Sequence, residues 1–203
     1  MKKIPTLFER EFSDDHIVKI KPMITKGMEW VMNGEGIATI KYDGSCCAII
    51  NGKFYKRYNA KHGKSVPKGA IKCQKKADPV TGHLPCWIKC DRNNPADKWF
   101  WAAYDFGKEH YCNDMGEGEP LKDATYEAVG LHFQGNPYNM DYDILIRHGE
   151  NIVYPERSFD GIREWLLMNR CDEGLVFWKD GVPQCKIKRT DFGFEWNNKL
   201  SKV

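Results

Sequence analysis

Hydrophobic and polar positions alternate along most of this chain, with the two-residue period of strands. HIVKIKP at 16–22 reads as a strand ended by Pro22, and IATIKYDG at 37–44 alternates in the same way. Residues 45–58 read as a β-hairpin, SCCAII and KFYKRY on either side of Asn51-Gly52. That dipeptide tolerates positive φ at both central positions of a type I′ turn. LPCWIKC (84–90), WFWAAYD (99–105), DATYEAVG (123–130) and DYDILIRHG (141–149) read as further strands, with GNPY at 135–138 turning the chain. GLVFW (174–178) and PQCKIKR (183–189) form a second hairpin around Asp180-Gly181. Helical spacing is confined to two places. GMEWVMNG at 27–34 fits one or two turns. Phe159, Ile162, Trp165, Leu166 and Met168 form an approximate stripe that Ser158 can cap. Residues 59–77 and 107–120 read as loops, the second with a short helix. The expected class is α+β, mostly antiparallel sheets flanked by helices.

Length and charge add to this picture. The 203 residues suit one domain, 1–203, with no role assigned to residues 1–34. A net charge of +3 argues against a polycationic nucleic-acid binder. The distribution says otherwise: from 44 to 77 there are nine Lys or Arg and no acid, which leaves the rest of the chain at −6. Eight cysteines are too few for a disulfide scaffold in a chain this long. The opening MKKIPTLFEREFSDD turns acidic before any apolar run, unlike a secretory signal. No apolar stretch nears the roughly 18 residues of a membrane span. The expectation is an intracellular, cytoplasmic, reduced protein without a membrane partner, acting as a monomer.

Four short elements carry candidate chemistry. In Lys41-Tyr42-Asp43-Gly44, Lys41 and Asp43 share a strand face, and a lysine there can serve as a covalent nucleophile once it loses its proton. Glu127 lies on the 123–130 strand. Glu173 opens the apolar run 174–178, where a carboxylate can close a helix connection or hold Mg²⁺. Lys186 and Lys188 share a face, and two like charges there are better explained by an anion than by each other. Each element alone is also an ordinary solvent-facing pair. Their order is what raises them above that reading.

Some other residues invite chemistry and fit packing better. Cys86 and Cys90, with His83 and Cys73 nearby, raise a zinc question, but no second metal-ligand pair closes the site. Cys46 and Cys47 alternate on a buried-looking strand as core thiols. Trp99 and Trp101 share a face of their strand and are expected in the core.

K-x-D-G, Y-E-x-x-G, E-G-L-V and K-x-K, in that order, resemble the signature of covalent nucleotidyltransferases, the ligases and capping enzymes. EGIATIKYDGSCCAII, TGHLPCWIKC, TYEAVGLHFQGNPY, ILIRHG and EGLVFW together resemble the small 5′–3′ RNA ligases, single-domain vertebrate type included. The likeness runs from about residue 35 to about 192.

The resemblance implies a nucleotidyltransferase (ATP-grasp-like) fold. It also implies ATP-dependent joining of RNA 5′-phosphate and 3′-hydroxyl ends through a lysyl-AMP intermediate, with Mg²⁺ or Mn²⁺. Lys41 would be the nucleophile, and Lys186 and Lys188 would bind the α-phosphate and stabilise charge during transfer. Asp43 would hold metal-bound water or orient Lys41. Glu127 would bind ribose hydroxyls or water on the metal, and Glu173 would contact the metal. Ile40 would border the nucleotide, and Arg57 would contact the nucleotide or 5′-phosphate. Many relatives stack an aromatic residue on adenine; here Ile146 would pack on the base or His148 border it. Lys56, Lys61 and Lys64 would track RNA phosphates, with Tyr55, Tyr58 and His62 between them to stack on bases. DNA ligases and capping enzymes carry an OB fold after the K-x-K strand. Only fifteen residues follow Lys188 in this sequence, which sets both alternatives behind. A non-catalytic RNA-binding module is the remaining alternative.

Overall fold

The computed structural model describes residues 1–12, 18–79, 81–110 and 121–196. The elements are β1 (Phe8–Phe12), β2 (Val18–Ile24), α1 (Glu29–Met32), β3 (Ile37–Lys41), β4 (Ser45–Ile50), β5 (Lys53–Ala60), β6 (Ile71–Lys72), β7 (Leu84–Lys89), α2 (Lys98–His110), β8 (Ala124–Gly130), β9 (Asp143–Arg147), β10 (Ile152–Val153), α3 (Phe159–Met168), β11 (Gly174–Lys179) and β12 (Val182–Lys188). The class is α+β, and every named strand pairing is antiparallel. The contacts divide the chain into two compact units, Met1–Lys3 with Asp43–His148, and Ile4–Tyr42 with Gly149–Val203. Residues 16–17 of the expected first strand lie outside the described residues, as do 111–120 of the second expected loop, Cys112 among them.

The unit formed by Ile4–Tyr42 and Gly149–Val203 holds a four-stranded sheet in the order β10-β3-β11-β12 and the β1-β2 ladder. Leu175, Phe177, Cys185 and Ile187 bury one sheet face against Ile162 and Leu166 of α3. The expected cap holds: Ser158 Oγ accepts the Gly161 N–H at 2.9 Å. Met168 does not join the stripe and is 77% exposed. It lies two residues beyond Leu166, about 200° around the helix.

The N-terminal stretch is part of this unit. The Leu7 N–H donates to the Lys186 carbonyl at 2.7 Å, and the Lys186 N–H to the Pro5 carbonyl at 3.0 Å. Thr6 thus bridges β12 in parallel. Leu7 and Phe8 are buried, and Phe8 meets Phe159 edge-on at 4.9 Å between centroids. Pro22 does not end the second strand. It falls within β2, where the register with β1 slips between Phe8 and Arg10, a place where a missing donor is tolerated.

The other unit holds a six-stranded sheet ordered β6-β7-β5-β4-β8-β9. Asn51 and Gly52 turn between β4 and β5 with φ of 50° and 66°, as the dipeptide predicts. The expected strand at 99–105 instead falls in the first part of α2, thirteen residues long. The Asn94 side chain accepts the Ala96 N–H at 3.1 Å, and Pro95 opens the turn that leads into the helix. Phe100, Trp101 and Tyr104 then close around Phe54 of β5. That tertiary contact outweighs the strand preference of aromatic residues. Trp99 and Trp101 consequently part company. Trp101 packs on the core, while Trp99 is 39% exposed and stacks on His132.

Because Leu7 is fully buried, Leu7→Ala will lower unfolding stability by about 2–5 kcal/mol in urea titration. Tyr154→Ala, at a side chain 89% exposed, will stay within about 0.5 kcal/mol of wild type.

Candidate active site

Register in the four-stranded sheet assembles the first cluster. Lys41 of β3 pairs with Gly174 of β11, and Gly174 pairs with Lys188 of β12. The next row on that face is Thr39, Val176 and Lys186. Three lysines therefore share one sheet face. Gly174 has no substitute in the row, because a Cβ there would come 2.1 Å from the Ile187 carbonyl oxygen. Ile40 lies in register with Leu175, and Leu175 with Ile187, so its side chain takes the face opposite Lys41. Its N–H donates to the Asn151 carbonyl at 3.0 Å.

Glu173 immediately precedes this row and is 1% exposed. One of its oxygens accepts from Lys41 Nζ and the other pairs with Lys188 Nζ. Lys41 Nζ also donates to the Tyr42 carbonyl at 3.3 Å. A carboxylate so deeply buried requires partners, and both of its oxygens have one. Lys186 is treated differently. Burial, then the neighbouring Lys41 and Lys188 charges, push its ammonium down to about 8 against the pull of Glu173. With these lysines charged, one carboxylate faces three cations, an excess suited to an anion.

The six-stranded sheet assembles a second group by the same alternation. Cys46 of β4 pairs with Glu127 of β8, and Glu127 with Ile146 of β9. Glu127 Oε1 accepts the Gly44 N–H at 3.2 Å, and a Cβ on Gly44 would come 2.2 Å from the Ala128 carbonyl oxygen. Glu127 Oε2 lies 2.9 Å from His148 Nε2, and His148 Nδ1 lies 3.0 Å from Thr125 Oγ1. The Asp43 N–H donates to the Tyr138 hydroxyl at 2.6 Å.

Arg57 hydrogen-bonds the Cys46 thiol, which burial pushes up to about 12 with Glu127 adding to the effect. Its guanidinium also donates to the Met1 carbonyl at 2.7 Å. Lys56 does not share that environment. It pairs with Cys47 in the register and gives its ammonium to Asp97, which is 1% exposed. Lys61 and Lys64 are exposed in the loop that follows β5. Among the described residues, Cys73, His83, Cys86 and Cys90 form no metal-ligand group; Cys46, Glu127 and His148 do.

No protein-family model matches the chain. RNA ligase 1 of Danio rerio is 27% identical over 139 residues, covering 57% of this chain and 42% of that protein. RNA ligase 1 of Pongo abelii is 28% identical over 129 residues, covering 57% and 37%. RNA ligase 1 of Rattus norvegicus is 24% identical over 226 residues, covering 79% and 68%. This chain is similar to proteins named RNA ligase 1. It spans about two fifths of the length of the first two.

Two features of the clusters escape the sequence reading. Asp97 claims Lys56 because alternation turns Lys56 away from the face of Arg57. Arg10 places charge beside Lys186 and is itself tied to Asp191 at 2.6 Å. Strand alternation in KFYKRY signals the first; nothing local signals the second.

The lowered Lys186 value has a sign. Between about 8 and 10.5 the unfolded chain binds the extra proton, so stability rises with pH across that window. Below it, Lys186 carries the full penalty of a buried charge. Lys186→Met should therefore stabilise the protein at neutral pH, on the order of 1–2 kcal/mol after screening is allowed for. Urea titrations at neutral and alkaline pH should show the gap to wild type shrinking as pH rises.

Proposed function

We propose that this chain is an ATP-dependent RNA ligase that works through a covalent lysyl-AMP intermediate. The observation that carries the reading is the pairing of Lys41 and Lys188 with the two oxygens of buried Glu173, with Lys186 on the same face. A lone surface lysine has no need of such a support. The motif order and the similarity to proteins named RNA ligase 1 point the same way.

In this reading Lys41 Nζ attacks the α-phosphorus of ATP. An N–P bond forms, the bond to the β-phosphate oxygen breaks, pyrophosphate leaves and the lysine proton passes to solvent. The AMP then moves to an RNA 5′-phosphate, and a 3′-hydroxyl displaces it to seal the strand. Lys186 and Lys188 offset charge on the transferring phosphoryl oxygens. Anion arrival fits the excess of cations on the face and offsets the penalty that Lys186 carries as a buried charge.

A hard divalent cation fits the oxygen donors of Glu173, each of which retains a second lone pair beside its lysine partner. Glu173 would hold Mg²⁺ or Mn²⁺; the motifs separately assign Asp43 and Glu127 a metal or metal-water role. When bound, the ion supplies neutralisation of phosphate charge. Glu127 is assigned the ribose hydroxyls, His148 and Ile146 the border of the base, Arg57 a phosphate and Ile40 a backbone contact with the nucleotide. Lys61 and Lys64 remain exposed for RNA phosphates, while Lys56 is engaged by Asp97. The fold assigned on this reading is that of the nucleotidyltransferases.

Protein incubated with α-labelled ATP and Mg²⁺ should become covalently labelled, and Lys41→Ala should not. Wild type that stays unlabelled with ATP and GTP and with either metal overturns the reading. Offering labelled protein 5′-phosphate RNA and 5′-phosphate DNA decides the acceptor. Transfer to RNA ends supports the assignment, and transfer to DNA alone refutes it.

A further inference from the structure

Cys46, Glu127 and His148 bring a sulfur, a carboxylate oxygen and an imidazole nitrogen together on one face of the six-stranded sheet. These three atoms lie within 4.8 Å of one another. Cys46 and Glu127 are direct cross-strand partners, and the His148 N–H donates to the Thr125 carbonyl at 3.0 Å, which fixes the third ligand one row away. We propose that this trio is a binding site for a thiophilic divalent cation of the Zn²⁺ type.

The donor set makes the choice of ion. Mg²⁺ and Ca²⁺ take oxygen ligands, whereas a thiolate and an imidazole suit zinc and its neighbours. Three protein ligands with a fourth position left to solvent is a common zinc arrangement. The ligands are also supported from behind. Thr125 Oγ1 stands 3.0 Å from His148 Nδ1, where it can accept that ring N–H and leave Nε2 bare for a metal. The Gly44 N–H steadies Glu127 through Oε1, which leaves Oε2 on the histidine side.

Charge is consistent with a divalent ion. The carboxylate and a thiolate neutralise it; burial and the Glu127 charge hold the free Cys46 thiol up at about 12, with Arg57 opposing them only in part, so the ion itself has to draw off the thiol proton. Binding exchanges the Cys46 thiol proton for the metal; the proton goes to solvent, the S–metal bond replaces S–H, and affinity therefore rises with pH. No redox step is involved.

Glu127 and His148 are also assigned to the nucleotide in the ligase reading, but the metal test needs neither Lys41 nor Glu173, so the two readings fail separately. The reduced wild-type protein is titrated with Co²⁺, a spectroscopic stand-in for Zn²⁺, and thiolate-to-cobalt charge-transfer absorption is followed. One equivalent should produce the band, and Zn²⁺ should abolish it by displacement. Cys46→Ala should lose the band, His148→Ala should weaken binding by about tenfold or more, and Lys41→Ala should bind as wild type. Absence of the band in wild type overturns the proposal without reference to any variant's folding. A band that persists in Cys46→Ala also overturns it, since the metal would then sit on another cysteine.

Discussion

Glu173 is the group on which the first cluster depends. A carboxylate 1% exposed is costly to leave without partners, and it draws both from neighbouring strands, Lys41 and Lys188. Removing either lysine leaves half of the carboxylate unsatisfied. Removing the carboxylate leaves three like charges on one face. The pair-wise ion contacts are therefore less informative than their sum. The arrangement is over-supplied with positive charge in a partly desolvated place, and Lys186 bears the cost, of burial first and of the neighbouring charges second, as a lowered proton affinity.

What makes the arrangement possible is register more than composition. Lys41, Gly174 and Lys188 fall in one row only because β3, β11 and β12 are paired without a slip at that end of the sheet. The irregularity between Phe177 and Trp178 lies nearer the hairpin turn and leaves the row intact. A one-residue slip would turn Lys186 and Lys188 into the α3-facing core and bring Ile187 out. Leu175 and Ile187, both fully buried, oppose that slip, so the hydrophobic face fixes the chemical face. The N-terminal segment contributes to the same end, since Pro5 and Leu7 bond the backbone of Lys186.

The strands that position the candidate site were legible because their signals are local. Asn51-Gly52 and Asp180-Gly181 mark turns through positive φ, and alternation in SCCAII separates Cys46 from buried Cys47. The helix at 98–110 was not, because WFWAAYD satisfies a two-residue period as well as a helical one. Its deciding contacts, around Phe54, lie some fifty residues away in sequence. The true local signal was Asn94-Pro95, ahead of the apolar run. Lys56 against Arg57 is a similar case: the hairpin was legible, but Asp97, which takes Lys56, belongs to the approach to that same helix. The place of residues 5–8 had no local signal, since a single parallel bridge leaves no pattern in sequence.

The basic residues divide into two physical kinds. Lys61 and Lys64 are exposed, so their attraction for an anion acts through water and fades within a Debye length of about 8 Å at physiological salt. Lys41, Lys186 and Lys188 lie on the face beside a buried carboxylate, where solvent and salt intervene less. A charge sum of +3 hides both kinds, because it counts exposed and buried cations alike. The exposed loop is suited to holding an anionic polymer loosely and without sequence preference. The buried cluster is suited to holding a small anionic group in one geometry, because its positions are set by strand pairing and its charges by a carboxylate with no freedom to leave. Loose attraction and fixed placement of an anion would thus draw on different residues, and salt would act mainly on the first.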